Sequence, residues 1–181
     1  VAAAMEPFLW EHFGNPSSGH AFPKPCANAV AKARKQVSDM LGCTPDEVVF
    51  TSCGSESDNH AVASAVDRFN RDNNQMVDDQ NQKVEKNQNQ RLIPHVVSTA
   101  VEHPAILEYL RAKEAEKVLT YELVPVNDEG LVDPRDVAAA VTERTCLVSV
   151  MHANNETGAI QPVAECAQLC KARNPKVCLL Y

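Results

Sequence analysis

The sequence lacks three features that would indicate a membrane, nucleic-acid-binding or disulfide-rich protein: long apolar runs, clusters of basic residues and closely spaced cysteine pairs. No apolar run in the 181 residues approaches the roughly 20 that a transmembrane helix requires. Segment 1–10 has no basic flank and no cleavage-site pattern, so no secretion signal is predicted. The chain also lacks an initiating Met, and we therefore expect it to be part of a longer protein.

Charge and cysteine usage narrow the class further. The formal net charge is −7 and Lys and Arg are scattered, which argues against nucleic acid or an anionic membrane surface as partner and favours a small molecule. The seven cysteines predict neither a disulfide framework nor a zinc ribbon, so a reducing, cytoplasmic compartment fits, and a mitochondrial one is compatible. Cys166 and Cys170 lie four residues apart on a predicted helix; shared burial is a simpler interpretation than a metal site, and no metal is predicted.

Strands alternate with helices along most of the chain, which predicts an α/β fold with a mainly parallel sheet flanked by helices. The predicted strands are 48–52, 95–99, 118–126, 146–151 and 177–181; the predicted helices cover 1–13, 26–41, a segment ending near Phe69, a segment starting at Pro104, 134–141 and 163–173. Segment 70–91 is almost entirely polar, and we expect a disordered surface insertion within one domain, 1–181.

Three polar stretches follow predicted strands, and ligands of such sheets bind beyond the carboxyl ends of strands. Gly54 and Ser55 lie where a helix begins, a place that binds phosphate, although a helix cap is the simpler alternative. His103 is either a structural group or a ligand contact. Asn154 and Asn155 follow an apolar strand, and a desolvated amide costs about 1–3 kcal/mol unless it is hydrogen-bonded, so they form either a turn or a binding contact.

Four motifs occur in an order that resembles one family. They are GNPSS at 14–18 with His20, TSCGSESDN at 51–59, EHP at 102–104 and MHANNETG at 151–158. Together they resemble the pyridoxal-phosphate enzymes of the class V aminotransferase group, specifically the cysteine desulfurases and selenocysteine lyases. The resemblance covers nearly the whole chain.

The resemblance implies part of an aspartate aminotransferase-like large domain that binds pyridoxal 5'-phosphate. It implies that Gly54 and Ser55 bind the cofactor phosphate and that Asn155 bonds the phenolic oxygen of the cofactor ring. It also implies that His103 stacks on the ring and acts as a catalytic residue that moves protons. The implied reaction removes sulfur from cysteine, or selenium from selenocysteine, and leaves alanine. A homodimer is implied for the complete protein.

The chain departs from the family pattern at Cys53 and Pro23, where the family has Gly. A side chain at the first position is expected to crowd the cofactor loop, and the second alters the entry to a helix. The family's Asp for the pyridine nitrogen and its Lys for covalent attachment would both follow Tyr181, so the chain alone is expected to be inactive. The alternatives are a truncated paralogue that acts as a scaffold and another class V enzyme, for example a kynureninase-like or serine-transaminase-like one.

Overall fold

The computed structural model describes residues 1–78 and 92–181, which divide into two compact units, Val1–Thr51 and Ser52–Tyr181. The first unit contains two helices and a 3-10 turn; the second contains four helices and four strands among its described residues. In chain order the elements are α1 (Ala2–Trp10), α2 (Lys24–Leu41), the 3-10 turn Pro45–Glu47, α3 (Gly54–Asp78), β1 (His95–Thr99), α4 (Pro104–Ala115), β2 (Thr120–Val124), α5 (Pro134–Ala140), β3 (Thr145–Ser149), α6 (Val163–Arg173) and β4 (Cys178–Leu180).

The four strands form one parallel sheet in the order β2-β1-β3-β4. Every residue of β1 and β3 is buried, as expected for the apolar central strands of a sheet that is covered on both faces. The pairing of β1 with β3 has one irregularity: His95 lies opposite Thr145 and Val96 opposite Leu147, so Cys146 is an extra residue in β3. Because the strands are parallel, the loops that follow β1 and β3 leave the sheet at the same edge.

Helices cover both faces of this sheet, which confirms the predicted α/β architecture. On one face α3 and α4 bury Val62, Val66, Val96, Ile106, Leu110 and Leu147. On the other face α5 and α6 bury Val97, Val137, Val141, Val148, Cys166 and Cys170. Alternate residues of β1 therefore contribute to opposite faces, as the period of a strand requires. Burial raises the pKa of the Cys166 thiol to about 11, so it remains a thiol that packs as an apolar group, in agreement with the simpler interpretation of the Cys166 and Cys170 pair.

In the first unit, Pro23 starts a helix rather than disturbing one. It is fully buried and occupies the N-cap position of α2 with φ −84°. Gly14 lies against it, and a Cβ on Gly14 would come within 2.9 Å of the Pro23 Cα, so only glycine fits there. At its other end α2 stops at Gly42, whose left-handed φ of 70° makes it the predicted glycine cap.

Two predictions about secondary structure are wrong. The predicted strand at 48–52 is not a strand; Val49 and Phe50 are exposed, and the Val48 carbonyl accepts a hydrogen bond from the Arg34 guanidinium. A strand requires a neighbour with which to exchange backbone hydrogen bonds, and the described residues offer this segment none. Helix α3 does not stop near Phe69 but continues to Asp78. The rest of the proposed insertion, 79–91, lies outside the described residues. Within the described part of the chain, no helix combines the length and apolar composition needed to cross a bilayer.

We expect Gln161→Leu to lower the free energy of unfolding by roughly 2–4 kcal/mol. The buried Gln161 accepts the Val132 N–H at 3.0 Å and donates to the Gly130 carbonyl at 2.6 Å, so leucine leaves two groups unpaired. Urea unfolding checks this, with Gln168→Leu on exposed α6 surface as the matched control. Equal unfolding midpoints for the two variants would contradict the assignment.

His95 should make stability depend on pH. Burial lowers the pKa of its imidazole below the ordinary 6.5, against the opposing charge of Glu122 and with a smaller contribution from Arg144. A depressed folded pKa means that the unfolded chain binds a proton first, so stability falls as pH drops below about 6.5.

The measurement compares urea unfolding between pH 7.5 and pH 5 for wild type and His95→Gln, and we expect a shallower decline in the variant. Gln168→Leu, on the exposed surface of α6, changes no titratable group and is the control that should retain the wild-type slope. If His95→Gln and wild type show the same slope, His95 does not carry the effect.

Candidate functional site

An open cleft lies at the carboxyl edge of the sheet, on the face covered by α3 and α4. Its polar lining comes from three segments that are distant in sequence: Asp58 on α3, Glu102 and His103 after β1, and Ser149 and His152 at the end of β3. Ile106, Met151, Leu180 and Tyr181 complete it. The location is the one that parallel sheets use for ligands, because the loops after their strands converge there.

The His103 side chain is exposed, but a hydrogen bond fixes the orientation of its ring. It is the N-cap residue of α4, and its Nδ1 accepts the Ala105 backbone N–H at 3.0 Å. A nitrogen that accepts a hydrogen bond carries no proton, so the neutral ring carries its proton on Nε2. Pro104 at the first helical position supports the same helix start, since it needs no hydrogen-bond acceptor.

Glu102 is the buried carboxyl group of the cleft. Only 8% of its surface is exposed, and the Ser149 hydroxyl donates to its Oε1 at 3.1 Å. Burial raises the pKa of this carboxyl group, and the nearby negative charge of Asp58 adds to the rise. The Ser149 hydroxyl and the backbone N–H groups of Met151 and His103 act in the opposite direction by stabilising the carboxylate.

The two asparagines after β3 have different roles. Asn154 organises the loop: its Oδ1 accepts the N–H groups of Glu156 at 3.0 Å and Thr157 at 2.9 Å, and its Nδ2 donates to the Val101 carbonyl at 3.1 Å. Asn155 is exposed, and its Nδ2 donates to the adjacent Glu156 carboxylate at 3.0 Å. Asn154 is therefore the turn residue, and Asn155 is the one whose side chain lies on the surface.

Helix α3 begins at Gly54 with its first turn exposed. A Cβ built on Gly54 meets no atom within 4 Å, so the backbone there is open to approach. The Glu56 carboxylate reaches back to accept the Ser52 N–H at 2.7 Å and the Ser52 hydroxyl at 2.6 Å. The Cys53 sulfur interacts with the Glu56 backbone N–H, the main cause of a lowered pKa for its thiol, with smaller contributions from the Ser52 hydroxyl and the Ser55 N–H.

The structure brings only some of the predicted site residues together. His103 lines the cleft. Gly54 lies one helical turn before the cleft residue Asp58 and on the same side of α3, with Ser55 beside it. Asn155 follows the cleft residues of the β3 loop without lining the cleft itself.

Sequence reasoning missed Asp58, Glu102 and Ser149 as cleft residues. A carboxyl group next to His103, in the short loop between a strand and a helix, was the available signal for Glu102. Among residues 1–78 and 92–181, no three His, Cys, Asp or Glu side chains are grouped so as to hold a metal ion.

The sequence matches known proteins over most of its length. The model of the family described as aminotransferase class-V matches residues 1–92 and 80–180. A protein named cysteine desulfurase IscS from Clostridium botulinum is 38% identical over 175 residues, a match that covers 96% of this chain and 38% of the relative. The chain thus spans less than half the length of that curated relative.

Solved structures agree with this match. A NifS-like protein superposes with a TM-score of 0.79 at 31% identity, covering 97% of this chain and 42% of that one. The structure described as SspA in complex with cysteine superposes with a TM-score of 0.78 at 25% identity, covering 98% of this chain and 44% of its own. The matched family model, the identity with the curated relative and the parallel sheet agree, and the chain belongs to the aminotransferase class-V family.

Proposed function

We propose that the protein is a pyridoxal-phosphate-dependent cysteine desulfurase, and that these 181 residues form part of its large cofactor-binding domain. Membership of the class V family and similarity to a protein named cysteine desulfurase support the reaction class. The neighbour whose title reports bound cysteine supports cysteine as substrate. Selenocysteine is a second proposed substrate, since the motifs at 102–104 and 151–158 resemble those of lyases that act on it.

The convergence of Glu102 and His103 with Ser149, Met151 and His152 at one cleft carries the proposal. Apart from Ser149, which ends β3, these residues belong to two of the motifs behind the resemblance and come from the loops after β1 and β3. A cleft at this edge can enclose a planar aromatic cofactor, with an imidazole on one side and polar groups around it.

The residues at the start of α3 fit a phosphate group. The open backbone at Gly54, the exposed Ser55 hydroxyl and the positive end of a 25-residue helix are the features that bind phosphate in proteins. We therefore propose Gly54 and Ser55 as phosphate ligands. The Cys53 sulfur uses the N–H groups of Ser55 and Glu56, so it competes for part of this anion site.

When bound, pyridoxal phosphate supplies an electron sink for the bonds that break at the amino acid. In our proposal His103 would cover one side of the cofactor ring and would donate the Nε2 proton to the substrate, because Nδ1 is occupied by the Ala105 N–H. Asn155 would bind the cofactor oxygen and the substrate carboxylate through its amide, which would first have to leave the Glu156 carboxylate. Asn154 holds that loop in place.

Assembly and location follow as further proposals. We propose that the complete protein is a homodimer and acts in a reducing compartment, either cytoplasmic or mitochondrial. We propose that residues 1–181 alone do not catalyse the reaction, since the covalent attachment of the cofactor is expected from a lysine outside them.

The test uses a protein of full family length that contains these residues. It should bind pyridoxal phosphate with the absorbance of a covalently attached cofactor and release alanine from cysteine. Cofactor binding with no alanine from cysteine or selenocysteine would favour another class V enzyme. The absence of cofactor binding would favour the non-catalytic scaffold.

We expect Cys53→Gly to tighten cofactor binding by roughly threefold to tenfold, because it returns N–H groups of the α3 start to the phosphate. The dissociation constant is measured by fluorescence titration with pyridoxal phosphate. Cys43→Gly, in the first unit, is the control and should leave affinity unchanged. Weaker binding in Cys53→Gly would show that the cysteine supports the site.

His103→Asn separates the catalytic role of this residue from its capping role. Asparagine is a good N-cap residue and can still accept the Ala105 N–H, so stability should change by less than about 0.5 kcal/mol. Loss of the imidazole should lower kcat for alanine release by about 10²-fold or more. Turnover close to wild type would remove His103 from the mechanism.

A further inference from the structure

The Glu102 carboxylate is buried without a cation. Among the described residues no Lys or Arg forms an ion pair with it. Asp58 faces it with a like charge, and His103, His152 and Tyr181 line the same cleft. A buried carboxyl group in this setting destabilises the fold unless hydrogen bonds compensate for its desolvation. An apolar residue would fill this position at lower cost, so the reason for a carboxyl group lies in what it binds.

Glu102, in the loop after β1, is hydrogen-bonded to the end of β3. The Ser149 hydroxyl, at the end of β3, donates to Oε1 at 3.1 Å. The backbone N–H groups of Met151, in the loop after β3, and of His103, in the loop after β1, also stabilise the carboxylate. One side chain thus links the start of the 151–158 loop to the residue that carries the imidazole.

A second link lies beside the first. Asn154 donates to the Val101 carbonyl at 3.1 Å, and Val101 is the neighbour of Glu102. The β1 loop is therefore tied to the β3 loop at two adjacent residues. His103 directly follows Glu102, and Asn155 directly follows Asn154. The two contacts therefore set the spacing between the His103 and Asn155 side chains.

We propose that Glu102 is a positioning residue, which holds the His103 ring and the loop of Asn155 in register at the cleft through its hydrogen bond with Ser149. The importance of this spacing for catalysis rests on the proposed function, whereas the contacts themselves exist without cofactor. A carboxylate suits the task because it accepts hydrogen bonds through either oxygen and donates none. Glutamine replaces one of the two acceptor oxygens with an NH2 donor and removes the negative charge.

The test is the tautomer of the His103 ring in the cofactor-free chain, read from long-range ¹H–¹⁵N correlation spectra. The His103→Asn variant assigns the signal. In wild type the ring should show one tautomer, with the proton on Nε2. In Glu102→Gln the loop should be looser, and the hydrogen bond from the Ala105 N–H to Nδ1 should weaken. The ratio of the Nε2–H tautomer to the Nδ1–H tautomer should then fall by roughly fivefold. If Glu102 only added stability, its substitution would lower the unfolding midpoint and leave the tautomer ratio of the folded protein unchanged.

Two further variants sharpen the result. Glu108→Gln removes an exposed carboxyl group from α4 and should give the wild-type spectrum. Ser149→Ala deletes one donor to Glu102 and should shift the tautomer ratio in the same direction as Glu102→Gln, by a smaller factor. If Glu102→Gln fails to unfold cooperatively in urea, Ser149→Ala decides the question. An unchanged ring in whichever variant decides would overturn the proposal.

A cofactor titration separates this inference from the proposed function. In the full-length protein, Glu102→Gln should raise the dissociation constant for pyridoxal phosphate about tenfold, as loss of an orienting hydrogen-bond partner does at other sites. If neither the wild type nor the variant binds the cofactor, the proposed function is wrong. The tautomer measurement still decides the role of Glu102 in that case.

Discussion

The parallel pairing of β1 with β3 is the constraint on which the rest of the second unit depends. It places the loops after both strands at one edge, and it fixes which face each following side chain enters. The extra residue Cys146 lies near the start of β3, and beyond it Val97 pairs with Val148 and both enter the α5 and α6 face. Ser149, the next residue, points to the opposite face, where Glu102 receives its hydrogen bond. A shift of one residue would reverse this arrangement and separate the pair.

Local sequence signals sufficed where a segment's structure depends on its own residues. Helix α4 begins at Pro104 and α6 covers 163–173 as predicted, because capping residues and apolar spacing are local properties. The segment 48–52 has an equally apolar pattern but forms no strand, because a strand depends on a partner that may lie anywhere in the chain. Helix α3 continues past Phe69 through polar residues. Unlike a strand, a helix needs no distant partner, because its hydrogen bonds form within its own backbone.

The candidate site was predictable in part for the same reason. His103 could be placed at the ligand edge from the order of strand, loop and helix. The division of labour between Asn154 and Asn155 could not, since it depends on the distance from Asn154 to Val101, a residue 53 positions away. Glu102 could be recognised as polar but not as buried, because its burial is created by Ser149 and the packing of α3.

The start of α3 shows how a departure from the family pattern changes the energetics of a site. With glycine at position 53, the first N–H groups of the helix would meet only water until an anion arrived, and binding would recover the full benefit of the helix dipole. Cys53 instead supplies an acceptor from within the chain, and Glu56 does the same for Ser52. The helix start is thereby stabilised before any ligand binds. An anion bound at this position would compete with the sulfur for these N–H groups, so part of the interaction that would favour binding would already contribute to folding.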